Sequence, residues 1–170
     1  MNIFENDFKC KNNTVVTLGK FDGLHEGHKK LIETTLSEAK RLGCESVVYS
    51  FNQNPKNVLY KENILNLMSK QEKIQILESM GIDNVVFQDF TYEFSKISSE
   101  QFAVSYIKNK LNAKSVVVGF NFRFGYNAEG NVELLKAYGE KYGFNVIVVD
   151  LVKKDGKIIS SSTIREKVIL

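Results

Sequence analysis

Residues 15–32 read V-V-T-L-G-K-F-D-G-L-H-E-G-H-K-K-L-I, and no other stretch constrains the fold as tightly. An apolar run ends at Leu18, Gly19, Asp22 and Gly23 make a tight turn, and a helical pattern opens near His25. A strand that turns sharply into a helix sets the helix's unpaired N–H groups and positive dipole end at the strand's carboxyl edge. Such a place holds phosphate. Both histidines of the chain, His25 and His28, fall here, three residues apart and on one helix face. The stretch reads as a nucleotide phosphate site.

The rest of the chain repeats the alternation. Strands are expected at Thr14 to Gly19, Glu45 to Phe51, Asn84 to Gln88, Lys114 to Gly119 and Phe144 to Val149. Between them, Leu31, Ile32, Leu36, Ala39 and Leu42 keep helical spacing up to Gly43. Ser69 with Glu72, and Ser98 with Gln101, have the spacing of helix-capping boxes. A further helix is expected over Val132 to Tyr142, and the tail holds a short strand near Lys157 and a helix start after Ser160. The prediction is an α/β fold: a Rossmann-like parallel sheet of about five strands with helices on both faces, in one domain spanning 1–170. Ligands of such sheets sit outside the carboxyl ends of the strands, where strand order reverses. Residues 52–68, with the chain's one proline, Pro55, form an unusually long connection of the kind that often binds ligand.

Composition enters through what it excludes. A net charge of +3 with scattered lysines offers no basic, aromatic-interleaved track for nucleic acid. No apolar run approaches the ~18 residues that span a bilayer, and the N-terminus lacks signal-peptide character. Cys10 and Cys44 fit no metal or redox spacing and point to reduced thiols in a cytoplasmic protein. No protein partner is evident.

Each motif has a bland competitor. His-x-Gly-His is short enough to arise by chance, and histidines at i and i+3 can chelate a metal. Further zinc ligands are missing, which favours phosphate. Gly27 in the first helical turn leaves room for a flat ring such as adenine against the backbone, or simply marks a helix start. Ser160-Ser161-Ser162-Thr163-Ile164-Arg165 reads as a second anion site, against a plain serine cap. Of three arginines beside twenty lysines, Arg123 and Arg165 fall in candidate loops. Phe120-Asn121-Phe122-Arg123-Phe124-Gly125 places three aromatics at a strand end, either to stack on a flat ring or to continue the strand into a turn.

Taken together and in order, G-K-F-D-G-L-H-E-G-H, V-V-V-G-F-N-F-R-F-G and I-S-S-S-T-I-R resemble the adenylyltransferase domain of the prokaryotic bifunctional riboflavin kinase/FAD synthetase family. The resemblance implies the nucleotidylyltransferase superfamily fold and the reaction of ATP with FMN to give FAD and pyrophosphate, with Mg²⁺. His25, His28 and Arg165 would be catalytic. Gly19, Phe21, Asp22, Gly23, Gly27, Gly119, Ser161, Ser162 and Thr163 would bind ATP, and Pro55, Asn121 and Phe124 would bind FMN. The chain departs from the family pattern at Lys20, Asn54 and Asn121, where Asn, His and Asp are common. The recognisable motifs fill the chain, so no riboflavin kinase domain is expected within residues 1–170, which leaves either a monofunctional member or one half of a bifunctional one. Two other readings stay open: a nucleotidylyltransferase for pantetheine or glycerol phosphate, and a nucleotide- or flavin-binding module without catalysis.

Overall fold

The computed structural model describes residues 1–23 and 26–150, together with the backbone of 153–154 and 157–158. In chain order its elements are β1 (Asn2–Glu5), β2 (Thr14–Leu18), α1 (Glu26–Leu42), β3 (Glu45–Phe51), α2 (Pro55–Leu59), α3 (Lys70–Met80) and β4 (Asn84–Gln88). Then follow α4 (Tyr92–Ser95), α5 (Ser99–Gln101, continuing as a π-helix over Phe102–Lys110), β5 (Ala113–Gly119), a 3₁₀ turn (Tyr126–Ala128), α6 (Val132–Tyr142) and β6 (Asn145–Val149). β7 (Lys153–Lys154) and β8 (Lys157–Ile158) form a separate antiparallel pair.

Six strands lie parallel in the order β1-β4-β3-β2-β5-β6. Five are those expected from the sequence. The sixth, β1, runs along β4 from Asn2↔Asn84 to Glu5↔Phe87. It escapes pattern reading because it is a four-residue edge strand with only two apolar residues, largely exposed, with Ile3 49% accessible.

The inner strands are near-continuous apolar runs because both faces of the sheet are covered. Side chains alternate between the two layers. Val16, Leu18, Val47, Tyr49, Val86, Val116 and Val118 pack under the α5 and α6 side, with Phe102, Ile107, Leu111 and Leu135. Val48, Val85 and Phe87 face Ile32 and Leu77, while Val15 and Val117 meet Ala39, all on the α1 and α3 side. Helix ends follow the capping signals: Ser69 Oγ accepts from Glu72 N–H at 3.1 Å, and Ser98 Oγ accepts from Gln101 N–H at 3.1 Å. Gly81 and Gly143 close α3 and α6 in the left-handed region, φ +94° and +90°. The π-helical turns of α5, where Leu111 N–H reaches Tyr106 O five residues back, have no sequence signature.

Candidate active site

From β2 the chain moves outward through β3 to β4, whereas β5 and β6 lie on the other side of β2. The order reverses between β2 and β5, and their carboxyl ends open the crevice where such sheets bind ligand. Register pairs Thr17 with Val117. Continued for two residues, it sets Gly19 beside Gly119, with no side chain at either strand's mouth. A methyl added at Gly19 would lie 3.1 Å from the Phe21 ring, and one at Gly119 would lie 3.4 Å from Asn121 Oδ1.

The turn after β2 is built from inside the core. Phe21 is fully buried at φ +53°, sealed among Ile32, Val48, Leu77 and Phe87. Its ring therefore cannot meet a nucleotide, and only its backbone faces that task. Asp22, 5% exposed, turns its carboxylate onto the far end of the 52–68 stretch, accepting from Leu67 N–H at 2.9 and 3.0 Å and from Met68 N–H at 3.3 Å. Gly23 takes φ +85°. α1 then begins, 17 residues long, with buried Gly27 and half-buried His28 in its first turn. The His28 imidazole rests against Phe21.

Beside this turn a small cavity of about 40 Å³ is bounded by Lys20, Lys70, Lys73, Asn52, Gln53 and Asn54, among others. Lys73 is 8% exposed and its Nζ donates to Lys20 O at 2.9 Å. Burial pulls its ammonium below the usual lysine range, against the opposing charge of Asp22. Lys70 bridges Glu5 and Asn52. Asn52, Asn6 and Gln53 converge on Asp89 at 2.7, 2.7 and 3.4 Å. These donors hold the Asp89 carboxyl below its ordinary range. The sequence pattern did not disclose this amide network, which joins residues from three separate segments. The one local hint is the polar run Asn52-Gln53-Asn54 at a strand's carboxyl end.

Of the residues expected at an acceptor, Pro55 stands at the first position of α2, where Asn54 caps the helix by accepting from Lys56 N–H at 3.0 Å. Asn121 is exposed just past β5. Phe124 is not. It is 7% exposed, bridged to Gly130 through both backbone groups, and packed on Phe122, Phe102 and Tyr138. The outward aromatic of this loop is Phe120, 47% exposed. His25, Ser161, Ser162, Thr163 and Arg165 lie outside the described residues.

The strand order and the glycine-lined switch point define a Rossmann-like α/β domain. Solved structures agree: the fold superposes on a pantoate–β-alanine ligase from Francisella tularensis with a TM-score of 0.64 at 17% identity, covering 96% of this chain and 72% of that one. A chain from Streptococcus pneumoniae described as a macrolide-efflux protein is more similar, with a TM-score of 0.87 and 30% identity over 98% of this chain and 55% of that one. Residues 7–163 match the family described as FAD synthetase, and the chain belongs to that family. A bifunctional riboflavin kinase/FMN adenylyltransferase from Buchnera aphidicola (subsp. Acyrthosiphon pisum) is 36% identical over 93% of this chain and 51% of its own length. An FAD synthetase from Listeria monocytogenes is 31% identical over 89% of this chain and 61% of its own. The chain thus spans about half the length of bifunctional relatives such as those from Buchnera aphidicola and Escherichia coli.

Proposed function

We propose that this chain transfers AMP from ATP to FMN, giving FAD and pyrophosphate, and that residues 1–170 carry the adenylyl-transfer half of the bifunctional relatives' chemistry. The observation that supports it most is the glycine-lined mouth between β2 and β5, with the N-terminus of α1 and His28 beside it, in a chain of the FAD synthetase family.

In this reading the FMN phosphate is already an anionic nucleophile and needs no general base. One of its oxygens forms a bond to the α-phosphorus of ATP as the bond to the β-phosphate oxygen breaks, and pyrophosphate leaves with the electron pair. The protein positions the two phosphates and stabilises charge. Gly27 and Gly119 admit the nucleotide against bare backbone, while Gly19 and Gly23, covered by the Phe21 ring and by Leu67, shape the turn with Phe21 and Asp22. The α1 N–H groups, His28 and His25 meet the transferring phosphate. Ser161, Ser162, Thr163 and Arg165 hold the β- and γ-phosphates. Pro55, Asn121 and the exposed Phe120 flank the flavin side, while Phe124 supports the loop of residues 120–130 from the core.

Among the described residues no group of three or more His, Cys, Asp or Glu side chains converges to hold a metal. The Asp22 carboxylate is turned onto backbone amides. In this reading Mg²⁺ enters with the triphosphate as part of the substrate, neutralising its charge. No helix among the described residues is long and apolar enough to cross a membrane.

Pyrophosphate release from ATP, measured with FMN, phosphopantetheine or glycerol phosphate as acceptor, tests the reading. Release is expected with FMN alone. Release with another phosphomonoester would assign a different transferase, and nucleotide binding without release would favour a binding module.

A further inference from the structure

The turn after β2 is held more firmly than a phosphate-binding loop requires. A bulky residue at φ +53°, as at Phe21, is a strained backbone that persists only where its surroundings over-determine it. Three anchors do so. Lys20 O, just before Phe21, accepts from Ser50 Oγ at 2.7 Å and from Lys73 Nζ at 2.9 Å. Just after it, Asp22 accepts from the Leu67 and Met68 amides. At Gly23 the chain runs so close to Leu67 that an added methyl would lie 2.9 Å from its Cδ1.

Lys73 does not belong there for stability alone. It sits on the inner face of α3, where an apolar side chain would avoid the cost of burying an ammonium. What that charge does is grip a backbone carbonyl in the turn.

The loop that Asp22 and Gly23 reach, which lies between Ser50 on β3 and Lys73 on α3, is otherwise a surface excursion. Tyr60 and Leu65 are 68% and 69% exposed. Asn57 closes the loop on itself, donating to Ile64 O at 3.1 Å and accepting from Ile64 N–H at 2.8 Å. Its near end follows β3, and its far end is fastened by Asp22.

We propose that Asp22 and Lys73 are positioning residues that lock the 52–68 loop to the phosphate-binding turn, Asp22 directly and Lys73 through α3, into which the loop runs, so that nucleotide in the turn is felt by the acceptor-side loop. Neither needs to touch a reacting atom. The assignment of the two sides rests on the proposed adenylyl transfer, but the mechanical link does not.

Trypsin cleavage after Lys61, exposed in the loop, reads the link directly. In the wild-type chain, MgATP without FMN is expected to slow this cut about fivefold or more, in the range of ordinary coupling between sites. In Asp22→Asn and in Lys73→Met the protection should fall below about twofold, with Lys73→Met melting no lower than wild type, since it removes a buried charge. If Asp22→Asn fails to fold, Lys73→Met alone decides. No protection in the wild type, or full protection in a folded variant, overturns the proposal for the residue concerned. A lowered melting point with protection intact would mark a merely structural role and overturn it too. FAD formation measured on the same samples keeps the two readings apart: protection without FAD refutes the substrate assignment and leaves the lock standing.

Discussion

The imidazole of His28 leans on the ring of Phe21, with centroids 5.3 Å apart and planes inclined at 59°. Phe21 is fully buried, so one side of the catalytic candidate is backed by the core itself. A side chain fixed in this way spends little entropy in meeting a phosphate, which is what preorganised charge stabilisation demands.

Replacing His28 with alanine should therefore lower the turnover number of adenylyl transfer on the order of 10²-fold, as for a lost oxyanion donor, and leave the apparent affinity for ATP nearly unchanged. Steady-state kinetics with ATP and FMN varied separately distinguish these effects. Near-normal turnover would remove His28 from the mechanism.

Gly23 and Gly81 share a left-handed backbone but not a neighbourhood. A methyl at Gly81 meets nothing within 4 Å, whereas one at Gly23 meets Leu67. Gly81→Ala should cost about 1 kcal/mol from backbone strain alone. Gly23→Ala should cost more, about 2–4 kcal/mol, adding overpacking to strain. Denaturant melts of the two variants check the order.

Acid should loosen the β3–β4 end of the sheet. Hydrogen bonds from Asn52 and Asn6 hold the Asp89 carboxyl below its ordinary range. A carboxyl depressed on folding adds stability above its unfolded value, and that stability is lost as pH falls through the folded one. The melting temperature should decline from about pH 5 to about pH 3, and Asp89→Asn should shrink that decline while lowering stability at neutral pH. An Asp89→Asn chain with the wild-type acid profile would contradict the assignment.

The sequence made much of the frame legible, because β2 to β6 are long apolar runs and Ser69, Ser98, Gly81 and Gly143 mark helix ends with local chemistry. β1 was silent, being an edge strand of four residues, too short to set a pattern. At the site, the turn of residues 19–23 and the place of His28 in the first turn of α1 could be read, since their signals lie within one stretch. The inward turn of the Phe124 ring could not be read, because its partners Phe102 and Tyr138 belong to other elements. Nor could the task of Lys73, a lysine on a helix that gives no hint of the carbonyl 53 residues earlier. Contacts of that kind become visible only once the chain has folded.

ATP labelled at the α-phosphate, incubated with the chain, Mg²⁺ and FMN, follows the group whose transfer defines the proposed reaction. All transferred label should appear in FAD, one equivalent for each pyrophosphate released, and none should leave ATP when riboflavin or phosphopantetheine replaces FMN. Label found on phosphopantetheine, or label remaining in ATP while FMN is present, would contradict the assignment.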